Sequence, residues 1–271
     1  VLFIIDSYMP TIESLYYTDS GPHNGGSGFP VIVMIPDLLT NVEIFKNQKT
    51  FLSRKYRVIV LDYQNGVFFS KENNGDILKD VAKNIIQLMD LLGIKKFIVC
   101  GIRMGGLIAL NTGFEYQDRV CGMIVMGVWS EVTNHINNQR YMLLKDEHKS
   151  HRERNDIISN ILQDVTGGNR KEFIYWKKIW HSYNASALNS ILLTISEPLN
   201  IKITLDKIYQ PVLFMHGNDD KEVPVQSAYE LEKKIKHSRF IVIPGGGHIF
   251  TITHSQTTNN VIQFWLRDYF C

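Results

Sequence analysis

Short runs of β-branched and apolar residues alternate along this chain with longer stretches of helical period, and no other property of the sequence restricts its fold as much. Val31–Ile35 is the first clear buried run. A helical pattern follows at 44–55, then a strand at 57–62 that ends in the polar turn Tyr63-Gln64-Asn65-Gly66. Across 76–92 the apolar residues Ile77, Val81, Ile85, Leu88, Met89 and Leu92 recur at spacings of three and four until Gly93 stops the pattern. That is the signature of an amphipathic helix with one buried face. A compact strand at 96–100, a helix at 104–116 and a strand at 120–128 continue the rhythm. Strand, helix, strand in this order predicts an α/β fold, a mostly parallel central sheet flanked by helices.

Then the rhythm breaks. Residues 130–205 are polar and rich in His, Asn and Lys, with helical stretches at 140–164 and 171–180 and no buried strand. Alternation resumes with a strand at 211–216, a helix at 225–236, a strand at 239–244 and an amphipathic helix at 257–269. The expected organisation is one core domain made of 1–129 and 206–271, with a helical cap inserted at 130–205.

Composition narrows the function classes. The 271 residues include 29 basic and 27 acidic side chains, a formal charge of +2, which leaves no electrostatic footprint for nucleic acid. At this length, with 44% hydrophobic residues, a core forms without disulfide or metal staples. Cys100, Cys121 and Cys271 lie in no metal-binding or redox spacing and are expected to pack as small apolar groups. The five apolar residues that open the sequence are too few for a membrane span or a signal core, so no membrane span and a cytoplasmic location are expected. The sequon at Asn184 reads as a chance triplet. Neither a metal nor a cofactor is expected.

The residues that carry chemistry begin at Gly101-Ile102-Arg103-Met104-Gly105-Gly106, where a strand runs into a helix. Strand, Gly-x-X-x-Gly, helix is the setting of a nucleophile elbow, in which flanking glycines permit a sharp turn that presents the central residue above the sheet. Two later segments extend the pattern. His216-Gly217-Asn218-Asp219-Asp220-Lys221-Glu222-Val223-Pro224 follows one strand, and Gly245-Gly246-Gly247-His248 follows the next. In order of elements and in motifs the chain resembles the capped α/β-hydrolase superfamily over residues 30–270. The resemblance implies Asp220 as the acid and His248 as the imidazole of a triad, in the family's chain order, with Asp219 as the alternative acid. His216, His237 and His254 read as surface or strand-end histidines.

Two departures bear on function. Where the family carries its serine stands Arg103, whose guanidinium stays protonated and offers no lone pair, so a covalent intermediate on residue 103 is excluded. After the first buried strand the family usually shows His-Gly and takes one oxyanion-hole N–H from the loop. Here the stretch is Ile35-Pro36-Asp37-Leu38-Leu39. Pro36 has no N–H, and Asp37 brings negative charge to a place meant for a developing negative oxygen. Asp37, Leu38 and Met104 thus form an altered oxyanion region, and Arg103 with Asp37 is expected to make a charge-assisted pair that fills the old site. Ser70 and Ser130 read as loop serines and Cys100 as a core thiol, so none replaces the nucleophile. Trp129, Trp176 and Trp180, with Tyr175 and Tyr183, are candidates to line an apolar pocket between sheet and cap.

Three functions fit these residues. The first is a non-hydrolytic pseudoenzyme that binds a small hydrophobic or acidic ligand, or a protein partner. The second is a non-hydrolytic enzyme of lyase, cyclase or cofactor-independent oxygenase type, with His248–Asp220 as general base and Arg103 as anion anchor, the arginine lowering the imidazole pKa. The third is a residual hydrolase in which His248 activates water. The first is preferred because both halves of the acyl-transfer machinery are altered.

Overall fold

The computed structural model describes residues 11–12, 15–22, 30–37, 39–62, 77–129, 140–141, 143–145, 149–183 and 204–270. Leu38, Ser70, Ser130, Asn184, Cys271 and the turn at 63–66 lie outside them. Eight strands form one sheet: β1 (Thr11–Ile12), β2 (Leu15–Asp19), β3 (Val31–Ile35), β4 (Val58–Asp62), β5 (Phe97–Ile102), β6 (Val120–Met126), β7 (Val212–Gly217) and β8 (Ser238–Ile243). Their order is β1-β2-β4-β3-β5-β6-β7-β8. β2 pairs antiparallel with β1 and β4, and every other neighbouring pair is parallel. Parallel strands covered on both faces read as continuous apolar runs, and β4 and β5 are buried along their whole length. The hairpin β1–β2 was not expected from the sequence. Its paired stretch Leu-Tyr-Tyr-Thr-Asp is short, polar-ended and lies at the sheet's margin, so it lacks the unbroken apolar run that marks the inner strands.

Helices cover both faces: α1 (Lys46–Leu52), α2 (Ile77–Leu91), α3 (Met104–Glu115), α4 (His151–Val165), α5 (Arg170–Ser182), α6 (Val225–Glu232), α7 (Phe250–Thr253) and α8 (Ser255–Phe270). Successive residues of a strand face opposite ways, and β6 shows the result. A side chain at Gly122 would run into Trp265 and Phe270 of α8, whereas the Met123 side chain already packs against Gly113 of α3. Two expected helices are shorter than their patterns. The 44–55 stretch begins as a 3-10 turn at Val42–Phe45, with the Asn41 side chain accepting from the Glu43 N–H, before α1 starts. Of the 140–164 stretch, the α-helix that runs to Val165 starts only at His151, where Ser150 and Glu153 form a reciprocal capping box; such a box satisfies N–H groups that have no partner inside the helix. Among the described residues no helix is long and apolar enough to cross a membrane.

The loops that leave the C-terminal ends of β3, β5, β7 and β8 hold, in turn, Asp37, Arg103, Asp220 and His248. In open α/β sheets this is the end at which ligands bind.

Candidate functional site

The elbow is built by close backbone approach. A Cβ on Gly101 would sit 2.0 Å from the Gly105 carbonyl oxygen, and one on Gly105 would sit 2.1 Å from that of Ile35. Arg103 between them has φ 52° and ψ −115° and is the one non-glycine residue with positive φ among those described. This region is sterically costly for a residue with a Cβ. Its backbone is pinned on both sides: the Arg103 N–H donates to the Met126 carbonyl at 2.8 Å, and the Arg103 carbonyl accepts from Gly106 and Leu107 at 2.9 and 3.1 Å. The nucleophile-elbow conformation is therefore present with an arginine in it.

Arg103 is buried, at 5% exposure, and its charge is met from several sides. Nη1 donates to Tyr141 Oη at 3.0 Å and lies 3.5 Å from Asp37 Oδ2. The guanidinium carbon lies 5.5 Å from the Trp129 ring centroid and 5.1 Å from that of Tyr141, within cation–π range. The expected contact between Arg103 and Asp37 thus exists as an ion pair, while the direct hydrogen bond goes to Tyr141. Asp37 reaches further: its Oδ1 accepts from the Met104 backbone N–H at 3.4 Å. Tyr141 passes the contact on, donating to Glu222 Oε2 at 3.1 Å. Glu222 also pairs with Arg140, which pairs with Asp164 of α4 at 2.6 Å. Burial alone lowers the Arg103 pKa, but Tyr141, Asp37 and Glu222 outweigh it and the net shift is upward. Burial raises the Tyr141 phenol, which stays a neutral donor.

The acid–base corner is built in the same way. A Cβ on Gly217 at the end of β7 would lie 2.2 Å from the Gly246 carbonyl oxygen, so the loops after β7 and β8 touch. Asp220 Oδ1 accepts from the N–H groups of Glu222 and Val223 at 2.8 and 2.9 Å, and Oδ2 accepts from His248 Nδ1 at 2.8 Å. Asp219 is exposed and binds through its backbone N–H to the Gly246 carbonyl, so Asp220 is the carboxylate that His248 meets. Burial disfavours the Asp220 charge, yet His248 and His216 hold its pKa well below the usual carboxylate range.

Of the two histidines here, His216 keeps its strand-end reading and the expectation for His248 is corrected. His216 is strand-terminal but fully buried: its Nε2 donates to the Val223 carbonyl at 2.8 Å and lies 3.5 Å from Asp220 Oδ2. Its Nδ1 has no hydrogen-bond partner among the described residues. For His248, burial lowers the pKa and Arg103 lowers it further, but the charge and hydrogen bond of Asp220, aided by Glu222, outweigh both, and the net shift is upward. The arginine's lowering effect is real, and the carboxylate exceeds it.

A pocket lies between the strand ends and helices α4 and α5. Its floor is Asp37, Arg103 and His248, and its wall includes Leu39, Ile44, Leu162, Val165, Trp176 and Trp180. It holds about 370 Å³ of atom-free space counted out through its mouth. Trp180 is fixed by its indole N–H donating to the Leu39 carbonyl at 3.0 Å. Trp129 lies on the guanidinium, outside the lining. Tyr175 accepts from Asn41 Nδ2 at 3.3 Å. Cys100 is buried and its thiol pKa is pushed up by burial; such a thiol is inert. Among the described residues no group of three or more His, Cys, Asp or Glu side chains is arranged to hold a metal ion. The sequence reading missed Tyr141 and Glu222. Glu222 carried a signal, an acid two places beyond Asp220 in a turn that ends in Val-Pro, whereas Tyr141 stands in a polar stretch without periodicity.

Comparison with known proteins follows the same outline. The family described as serine aminopeptidase, S33, matches residues 64–252. The putative carbamate hydrolase RutD of Caulobacter vibrioides is 24% identical over 265 residues, covering 95% of this chain and 97% of that protein. Among solved structures, the enol-lactonase from Burkholderia xenovorans LB400 aligns with a TM-score of 0.76 at 18% identity, covering 93% of this chain and 96% of the other. A thermophilic esterase from Thermogutta terrifontis aligns with a TM-score of 0.75 at 21% identity, covering 95% and 94%. At such identities the structural likeness speaks to the fold.

Proposed function

The chain belongs to the serine aminopeptidase S33 family of α/β-hydrolases, and from that premise we propose that it is a non-hydrolytic member, a small-molecule-binding module whose acyl-transfer site is filled by its own side chains. The observation that carries this reading is the contact between the Met104 N–H and the Asp37 carboxylate, beside the Arg103 guanidinium. The N–H that follows the nucleophile is the donor that receives a developing oxyanion in this family. One such donor is worth about 3–4 kcal/mol to a transition state. A like charge about 4 Å away opposes the new oxyanion by a similar amount at the effective dielectric of a protein. The donor's gain is cancelled where it would be needed, and residue 103 has no nucleophilic atom to create the oxyanion.

In this reading Asp220 and His248 are the retained acid–base pair of the fold, Trp176 and Trp180 belong to the ligand pocket, and 130–205 is the cap over it. The relatives named as carbamate hydrolase, esterase and enol-lactonase support carbonyl compounds as the class from which an occupant is drawn. A second reading rests on the His248–Asp220 hydrogen bond at 2.8 Å, which keeps His248 oriented as a general base for proton abstraction without a covalent step. Loss in His248→Ala of solvent-proton exchange into an enolisable ketone supports that reading.

The primary test is hydrolysis of a short-chain aryl ester, with folding followed by thermal melting. The wild type is expected to be inert. Arg103→Ser/Asp37→Gly, which removes both members of the ion pair together and restores the family's residues, is expected to gain turnover that a further His248→Ala abolishes. Wild-type turnover that His248→Ala removes overturns the proposal.

A further inference from the structure

Two polar groups in the pocket's lining are used by none of the chemistry above: Thr40, whose hydroxyl proton is committed to the Asp37 carbonyl, and Trp176. Trp176 is 1% exposed and lines the pocket, and its indole N–H has no hydrogen-bond partner among the described residues. Trp180, one turn further along α5, has its N–H committed to the Leu39 carbonyl. A buried donor left unmet costs about 1–3 kcal/mol, so an acceptor brought to Trp176 recovers free energy that the empty wall forgoes. Leu39, Ile44, Leu162, Val165 and Ile249 line the pocket with apolar surface, and Thr40 adds a hydroxyl that has no donor to spare.

The charge at the floor indicates which kind of acceptor fits. Arg103 and Arg140 stand against Asp37, Glu222, Asp164 and Asp220. Acid outweighs base in that cluster even when His248 is protonated, and the upward shift of His248 has the same origin. Arg103 therefore offers no surplus positive charge to an incoming anion: its partners already answer it, and a carboxylate beside it would meet Asp37 as a like charge.

Resting on the reading of this cavity as a ligand pocket, we propose that Trp176 Nε1 is the anchoring donor of a subsite on the helix-pair wall, and that the pocket takes an uncharged, largely apolar molecule bearing a single hydrogen-bond acceptor. The molecule lies with its acceptor toward α5 and its apolar body across Leu162, Val165 and Ile249. Its polar end points away from the elbow, opposite to the orientation that acyl transfer at residue 103 would require.

Three probes alike in size and shape test this: acetophenone, which is neutral with one acceptor; benzoate, which is anionic; and cumene, which has no acceptor. Titration calorimetry on the wild type is expected to rank acetophenone tightest. Trp176→Phe, with folding checked by melting, is expected to weaken acetophenone about five-fold, the worth of one net hydrogen bond, and to leave cumene unchanged. Because the substitution can disturb packing, the indole N–H resonance of Trp176 in the intact protein gives a second readout, and it is expected to move with acetophenone and not with cumene. Benzoate binding more tightly than acetophenone overturns the proposal in favour of Arg103 as an anion anchor. Equal affinity for acetophenone and cumene overturns it by showing that the N–H is not used. Ester turnover by the wild type sinks the non-hydrolytic reading and leaves this subsite standing, so the two failures are distinguishable.

Discussion

Two glycine-lined corners sit at the same end of the sheet, and they have kept different things. At the β7–β8 corner Gly217 closes on Gly246, and the side chains it brings together, Asp220 and His248, make a hydrogen bond of 2.8 Å. At the β5 elbow Gly101 and Gly105 close just as tightly and Arg103 holds the strained φ of 52°, but the side chains there are an ion pair whose guanidinium has no lone pair to offer. The backbone of a catalytic corner and its side-chain chemistry are thus separable. Packing maintains the one, and nothing in packing requires the other.

The widest gap between the corners should appear when one charge is removed. Arg103→Met leaves Asp37 buried without its cation, while Glu222 keeps Arg140, and breaking a buried pair costs about 3–5 kcal/mol. Adding Asp37→Asn should recover at least about 1 kcal/mol, because residues in one charge network are not additive. Urea unfolding of the single and double variants measures this, and strict additivity would break the description of the elbow as one electrostatic unit.

A smaller effect sharpens the backbone side of the comparison. Gly217→Ala forces a methyl onto the Gly246 carbonyl and should cost about 1–3 kcal/mol as overpacking. Gly247→Ala meets open space and should be neutral or stabilising by up to about 1 kcal/mol. Melting curves that rank the two the other way would mean that the corner is not held by this approach.

The smallest effect is one of pH. His248 has its pKa raised in the folded protein above the ordinary 6.5, so its contribution to stability is fully present below about pH 6.5 and is lost as pH rises through the folded value. The penalty of His248→Gln relative to wild type should therefore be greatest at mildly acid pH and shrink toward alkaline pH. A penalty that grows with rising pH would contradict the dominance of Asp220 over burial and Arg103 at that imidazole.

The inner sheet was legible because its strands are buried on both faces and so advertise themselves as apolar runs. β1 and β2, at the margin, do not. The elbow, Asp220 and His248 were legible because glycines at fixed spacing mark turns that nothing else can make. The occupant of the elbow's donor was half legible: Asp37 could be suspected from its place after β3, but only coordinates show its carboxylate on the Met104 N–H. Tyr141 could not be read at all, since a residue that bridges two loops by its hydroxyl leaves no period and no motif. His216 was legible as a strand-end residue because it closes the apolar run Val212-Leu213-Phe214-Met215, but its contacts with the acid loop leave no mark in the sequence.

Arg103 draws one last consequence from its φ. A residue outside glycine in that region costs on the order of 1–3 kcal/mol, and in a serine hydrolase that expense serves the reaction. In this chain Gly101 packs on Gly105 and Gly105 on Ile35, beside the pairing of β5 with β3, so the turn is held by the packing of the sheet itself. The turn at Arg103 is part of how the sheet meets its helix. A change among the arginine's partners would alter its charge and leave that turn in place.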